Sequence, residues 1–182
     1  MTDKISPNNL QQLIQDELSR ILESGEIPHG IEKDIVQQFK ESTECGHFED
    51  RIPLTANCIC IYEQSLKYGR ADIVIYHTDG SVSVIEAKDG AKGYTHTVSG
   101  IGQATLYAVQ IGMSKGAVKK VRKCLLWAGT GNNELDAMID IACEQAGVIS
   151  LSVEPVKITM ACRKATCNVM ERTKKKELNN DK

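Results

Sequence analysis

The sequence predicts an α/β fold, a mixed β-sheet covered by helices in the order ααβββαβαβ. Three observations carry this expectation. Two amphipathic helical patterns come first, the apolar period then drops to two over three consecutive strand-like runs, and helical and strand patterns alternate thereafter. A three-stranded meander feeding αβ units gives a sheet with both antiparallel and parallel neighbours.

Asn8 and Asn9 cap a first helix in which Leu10, Leu13, Ile14, Leu18, Ile21 and Leu22 recur at three- and four-residue spacing, closed by Gly25. A second helix follows Gly30, with Ile31, Ile35, Val36 and Phe39 as its buried stripe and Gly46 beyond its end. TANCICIY (55–62), ADIVIY (71–76) and SVSVIEAK (81–88) are the three strands, rich in Ile, Val and Tyr and punctuated by Gly69, Asp79 and Gly80. A long helix around 99–112 and an apolar strand at 121–129 come next. A helix from about Asn133 follows, with Leu135, Met138, Ile139 and Ala142 on one face, and VISLSV (148–153) is the last strand. The chain reads as one domain over 1–182, with a helical extension at 1–30, a core at 31–155 and a basic, partly flexible tail at 156–182 whose ERTKKKELNNDK ending is expected to fray.

The 182 residues are 41% hydrophobic, enough for a real core. Apolar stretches are short and interrupted by charge, and no basic-then-apolar leader is visible, so neither a membrane span nor secretion is expected and the location is read as cytoplasmic. Seven cysteines without any CxxC pair point to reduced thiols, not to a disulfide framework or a zinc site. Cys58 and Cys60, alternating in NCICIY, are expected to be buried and structural, and Cys162 and Cys167 are not expected to form a cluster. Net charge is −2, unevenly spread: residues 1–63 hold 5 Lys/Arg against 12 Asp/Glu, so the basic excess lies downstream.

Chemistry concentrates at Asp72 in GRADIVIY and at Glu86 and Lys88 in SVSVIEAK. Side chains alternate along a strand, so Glu86 and Lys88 share a face. Whether Asp72 joins them depends on the turn. A two-residue Asp79-Gly80 loop pairs Asp72 with Ala87 and puts the carboxylates on opposite faces; a three-residue Thr78-Asp79-Gly80 loop pairs Asp72 with Glu86. Three-residue loops end on a left-handed residue, and Gly80 stands where that residue is needed, so the three-residue loop is expected. Two facing carboxylates, with Cβ atoms about 5 Å apart, repel unless a cation lies between them. Mg²⁺ suits such a pair because it takes one or two carboxylates and completes its shell with water and phosphate oxygens. Lys88 would then hold or help deprotonate an attacking water and offset charge growing on a phosphate.

GRAD, an interval of 14 positions from Asp72 to Glu86, IEAK, and then GQATLY resemble the PD-(D/E)XK nucleases, especially the RecB-like branch whose later helix carries Q-x-x-x-Y. The resemblance spans roughly residues 31–155, and the family's Pro before the Asp is Ala71 here. It implies a restriction-endonuclease-like fold and hydrolysis of DNA phosphodiesters with Mg²⁺ or Mn²⁺, in a repair, recombination, phage or defence setting. It further implies metal binding by Asp72 and Glu86, catalysis by Lys88, and substrate contact or site support by Gln103 and Tyr107, which are four apart on one helix face together with Gly100. Glu32, in the helix before the sheet, is the candidate additional metal or water ligand, and His96 lies one turn before Gly100. Lys92, Lys115, Lys119, Lys120, Arg122 and Lys123 are the expected phosphate contacts. An iron–sulfur centre, present in some similar nucleases, is not expected, because the cysteines lack the clustered C-terminal spacing. A homodimer or larger assembly accords with the resemblance. The alternative reading is an inactive binding or assembly subunit on the same fold, acting through protein partners.

Overall fold

The computed structural model describes the backbone of residues 7–24, 32–44, 46–114, 116 and 118–180, and the side chains of these apart from 7–8 and 176–180. Gly25, Gly30, Ile31 and Lys115 lie outside the described residues. The elements are α1 (Pro7–Ser24), α2 (Glu32–Glu44), β1 (Ile59–Leu66), β2 (Gly69–Tyr76), β3 (Ser81–Asp89), α3 (Tyr94–Met113), β4 (Lys120–Ala128), α4 (Asn133–Gln145), β5 (Ile149–Val153) and α5 (Val156–Asn180), with a 3₁₀ turn at Gly90–Lys92. They form two compact units, α1 with α5 and α2 through β5.

The larger unit is a five-stranded mixed sheet in the spatial order β1-β2-β3-β4-β5. β1, β2 and β3 are an antiparallel meander, and β4 and β5 add in parallel, each after a crossover helix. The mixed α/β architecture expected from the sequence is the one observed. α3 packs on β2, β3 and β4, where Tyr107, Ala108 and Ile111 meet Val74, Val82 and Val84. Alternate residues Ile73, Ile75, Ile85 and Ala87 are also buried, so both faces of the sheet are covered. His77, on the same alternation as Ile73 and Ile75, bonds Ser83 Oγ (2.8 Å) and the Pro53 carbonyl (2.9 Å), which ties the loop after α2 to that second face.

The β2–β3 turn settles the register. His77 N donates to Ser81 O (2.9 Å) and Gly80 N to His77 O (3.0 Å), so the loop is Thr78-Asp79-Gly80, with Gly80 at φ +81°. Asp79 Oδ1 accepts from both Ser81 N (2.8 Å) and Ser81 Oγ (2.6 Å), which closes the turn locally. The ladder then runs from Tyr76 opposite Val82 to Ile73 opposite Ile85, and its continuation sets Asp72 opposite Glu86.

Several expectations are corrected. On α2, Gln38 joins Ile35 and Phe39 in the buried stripe while Val36 is half-buried. On α4, Cys143 packs inward with Ile139 and Met138 is exposed, because the helix turns its Ile139–Cys143 row onto Leu125 and Trp127. Cys60 is exposed and Cys58 only half-buried, because β1 is an edge strand whose apolar residues lack a covering layer. The segment after Pro155, to which the sequence reading gave no element, is a 25-residue helix continuing to Asn180.

In the smaller unit, Ile21 of α1 packs with Ala161 and Ala165 of α5. Glu17 is buried beside them and accepts from Arg20 (2.9 Å), Asn168 (2.9 Å) and Arg172 (3.1 and 3.2 Å). Those donors hold its carboxyl down at about 2. No helix among the described residues is long and apolar enough to cross a membrane.

Replacing Gly80 by Ala forces a Cβ into the left-handed region and within 3.3 Å of the Lys119 stem. Urea unfolding is expected to show a loss of about 1 kcal/mol; an unchanged midpoint would remove the turn from its register-setting role.

Candidate functional site

The β2–β3 ladder opens just where Asp72 and Glu86 face each other. His77 N donates to Ser81 O, so every second pair onward, Ile75 with Ser83 and Ile73 with Ile85, is of the hydrogen-bonded kind, and Ala87 N should next reach the Ala71 carbonyl. Instead Ala87 N donates to the Asp72 carboxylate (Oδ2, 2.7 Å), and no backbone pairing extends beyond Ile73. The side chain replaces a ladder bond, and that bond holds the carboxylate at the mouth of the opening. On the other side of β2, Glu63 is the ladder position opposite Asp72 and has φ +52°, outside the β region. The sheet is therefore irregular on both flanks of Asp72.

Glu86 and Lys88 are 4% and 6% exposed. Lys88 Nζ donates to Glu86 Oε1 (2.7 Å), while Glu86 Oε2 is buried with no hydrogen-bond partner among the described residues. Burial is the main reason the Glu86 carboxyl rises to about 7; the Lys88 bond opposes the rise, and the Asp72 and Glu32 charges add to it. Asp72 is also pushed up, mainly by burial, against the Ala87 bond and the Lys88 charge. Two neighbouring carboxyls that burial above all holds above their usual range, one with a bare oxygen, suit an oxygen-seeking cation.

Lys88 has room because α3 presents Gly100 to it. A Cβ at Gly100 would lie 2.8 Å from Lys88 Cγ and 2.5 Å from Leu125 Cδ1. Two turns on, Tyr107 is buried against the start of β2, where a Cβ on Gly69 would come within 2.7 Å of its ring and hydroxyl. Gln103, half-buried, lies on the turn between them. Glu32, at the first turn of α2, is brought to the same place: its Oε1 is 3.9 Å from Lys88 Nζ, 3.8 Å from Lys92 Nζ and 3.5 Å from His96 Nε2.

The basic run is placed elsewhere. In the parallel β3–β4 register Lys120 sits beside Ser81 and Arg122 beside Ser83, whereas Glu86 sits beside Leu125. Five residues of strand, roughly 16 Å, separate Lys120 from the Glu86 row. Arg122 bonds Ser81 Oγ and Lys123 bonds the Ala146 carbonyl at the end of α4 (2.7 Å), so both fasten structure. The cations beside the carboxylates come from other elements. A cleft of about 500 Å³ is lined by Glu32, Lys33, Lys40, Tyr62, Arg70 and Asp72, among others. Lys40 lies over the Tyr62 ring (4.0 Å) and Arg70 pairs with Glu63 (3.6 Å). Lys33, Lys40 and Arg70 were missed from the sequence; the signal was present in α2, where Glu32, Val36 and Lys40 recur every four residues on the stripe next to Ile35 and Phe39.

Among the described residues no group of three or more His, Cys, Asp or Glu side chains is arranged to hold a metal ion. A two-carboxylate site completed by water and substrate oxygens is consistent with that.

No family model matches the chain, and no curated protein matches it. Among solved structures, a repair endonuclease from Pyrococcus abyssi is similar at 18% identity and TM-score 0.44, over 71% of this chain and 50% of that one. EndoMS in a complex with double-stranded DNA is similar at 17% and 0.38, over 64% and 44%. SfsA of Pyrococcus furiosus in complex with Ca²⁺ is similar at 13% and 0.32, over 68% and 59%. The chain thus spans about half the length of the solved chains it matches, and the functional reading rests on its own side chains.

The raised Glu86 carboxyl has a stability consequence. A folded-state value near 7 against 4.5 when exposed means that the folded chain holds a proton that the unfolded chain releases. Without divalent metal, the contribution of this group to stability is fullest below pH 4.5 and is lost as pH rises through about 7, by on the order of 3 kcal/mol at most. Urea titrations between pH 4.5 and 8 in chelator should show that slope, and Glu86→Gln should flatten it.

Proposed function

We propose that this chain is a metal-dependent nuclease of the PD-(D/E)XK type that hydrolyses DNA phosphodiesters in the cytoplasm. The observation that carries the reading is the Asp72–Glu86 pair at the open end of the β2–β3 ladder, with buried Lys88 bonded to Glu86 and a cation-lined cleft alongside. Asp72 and Glu86 would hold Mg²⁺ or Mn²⁺, with Glu32 close enough to bind a water in its shell. A divalent cation so held polarises a phosphoryl oxygen and acidifies bound water. Lys88 would donate to the attacking water or to a phosphate oxygen and offset the charge that grows there. Gly100 keeps the Lys88 stem in its slot, and Gln103 with Tyr107 supports the helix face behind it. Lys33, Lys40, Arg70 and Lys92 neutralise backbone phosphates near the carboxylates, with Lys119 and Lys120 meeting a longer strand farther along.

A second reading, a binding subunit without activity, draws on one observation: Glu86 and Lys88 already neutralise each other without metal. Cleavage assays on linear, circular and single-stranded DNA with Mg²⁺ or Mn²⁺ separate the two. Asp72→Ala and Glu86→Ala are expected to lower cleavage at least a hundredfold without loss of fold, and Lys88→Met to lower turnover while metal binding persists. DNA binding without cleavage by the wild type would favour the second reading.

Phosphate contact is tested separately by fluorescence anisotropy on labelled DNA. Lys33→Glu with Lys40→Glu should weaken binding at least tenfold and make it less sensitive to salt, and Lys119→Glu with Lys120→Glu should do so less. The reverse order would return substrate contact to the far end of the sheet.

A further inference from the structure

Helix α3 is 20 residues long and contains no Asp, Glu, Lys or Arg. One face is built into the unit through Thr97, Gly100, Ala104, Tyr107, Ala108 and Ile111. At 100° per residue the opposite face carries Gly102, Leu106, Val109 and Met113. Leu106 is 47%, Val109 53% and Met113 80% exposed, and a Cβ added at Gly102 would meet nothing within 4 Å. The four-three-four spacing is that of a helix–helix seam, and an uncovered apolar stripe of this kind marks an interaction surface.

Symmetry selects the occupant. When α3 is laid antiparallel on a copy of itself, with the two-fold axis between Leu106 and Val109, facing residue numbers sum to 215 (106 + 109 and 102 + 113). Leu106 then faces Val109 on both sides of the axis, and Met113, the most exposed of the four, faces Gly102, where the space is open. One axis satisfies both pairs. The residues flanking the seam, Gln103 and Gln110 on one side and Thr105 and Gly112 on the other, are uncharged. An isologous contact requires each patch to complement itself, and a charged flank would there meet its own like. With no charge on the helix there is none to repel a second copy and none to steer a different partner.

We propose that a second copy of this chain docks on this face, α3 antiparallel to α3, with Met113 of each copy seated over Gly102 of the other. The contact lies on the side of the helix away from Gly100 and Lys88, so the inference stands apart from the nuclease reading.

Sedimentation equilibrium of the full chain tests it. The wild type is expected to be a dimer, and Leu106→Lys to weaken association at least tenfold with the circular dichroism spectrum unchanged. Gly102→Met fills the open space and should also dissociate the dimer, while the monomer's thermal midpoint holds or rises, since Met is a better helix former than Gly. Adding Met113→Gly to Gly102→Met merely reverses the large–small pair and should restore the dimer. A monomeric wild type, a dimer indifferent to Gly102→Met, or a double variant that stays apart would each overturn the proposal.

Discussion

Thr78, Asp79 and Gly80 set the register of the β2–β3 hairpin, and register decides which side chains meet at its far end. One residue fewer in the loop would rotate every β3 side chain to the other face relative to β2. Val84 and Val82 would then leave the α3 face, and Glu86 would point away from Asp72. The same three residues therefore place both the core and the carboxylate pair. The turn is closed by its own Asp79–Ser81 bonds and by a glycine at φ +81°, so the constraint is local and does not wait on tertiary packing.

That locality explains why the pairing was legible in the sequence. Turn chemistry at Gly80 and alternation along SVSVIEAK suffice to derive it. The basic run 119–123 was harder to place because position along the chain is not position in the sheet. A parallel crossover returns the start of β4 beside the start of β3, at the hairpin end and away from Glu86. Lys33, Lys40 and Arg70 line one cleft with Asp72 because α2 and the β1–β2 edge converge there, a tertiary fact that local spacing alone does not encode. The exposure of Cys60 follows in the same way from an edge position that the run NCICIY does not announce.

Opening the ladder at Asp72 leaves Ala87 N without its backbone acceptor, a loss of about 1–3 kcal/mol for a buried donor left bare. The Asp72 carboxylate supplies the acceptor, so the bond that repairs the sheet also fixes the site. Beside it stand one buried acid, Glu86, and one buried base, Lys88. Lys88 satisfies one Glu86 oxygen and leaves the other bare, a deficit of positive charge at the open end of an otherwise apolar sheet. Replacing Lys88 by an apolar residue would deepen that deficit, and a divalent cation would reverse it.

Helix α3 joins these features through two glycines with opposite duties. Gly100 is needed because the Lys88 stem and Leu125 occupy the space where a Cβ would go; Gly102 has open space above it and no such reason. Glycine in a helix interior costs about 1 kcal/mol relative to alanine. Packing offsets that at Gly100, whereas within one copy of the chain the described residues offer no offset at Gly102. A side chain of a second copy seated over Gly102 supplies it, and Met113 is the residue of α3 with the reach and exposure to do so.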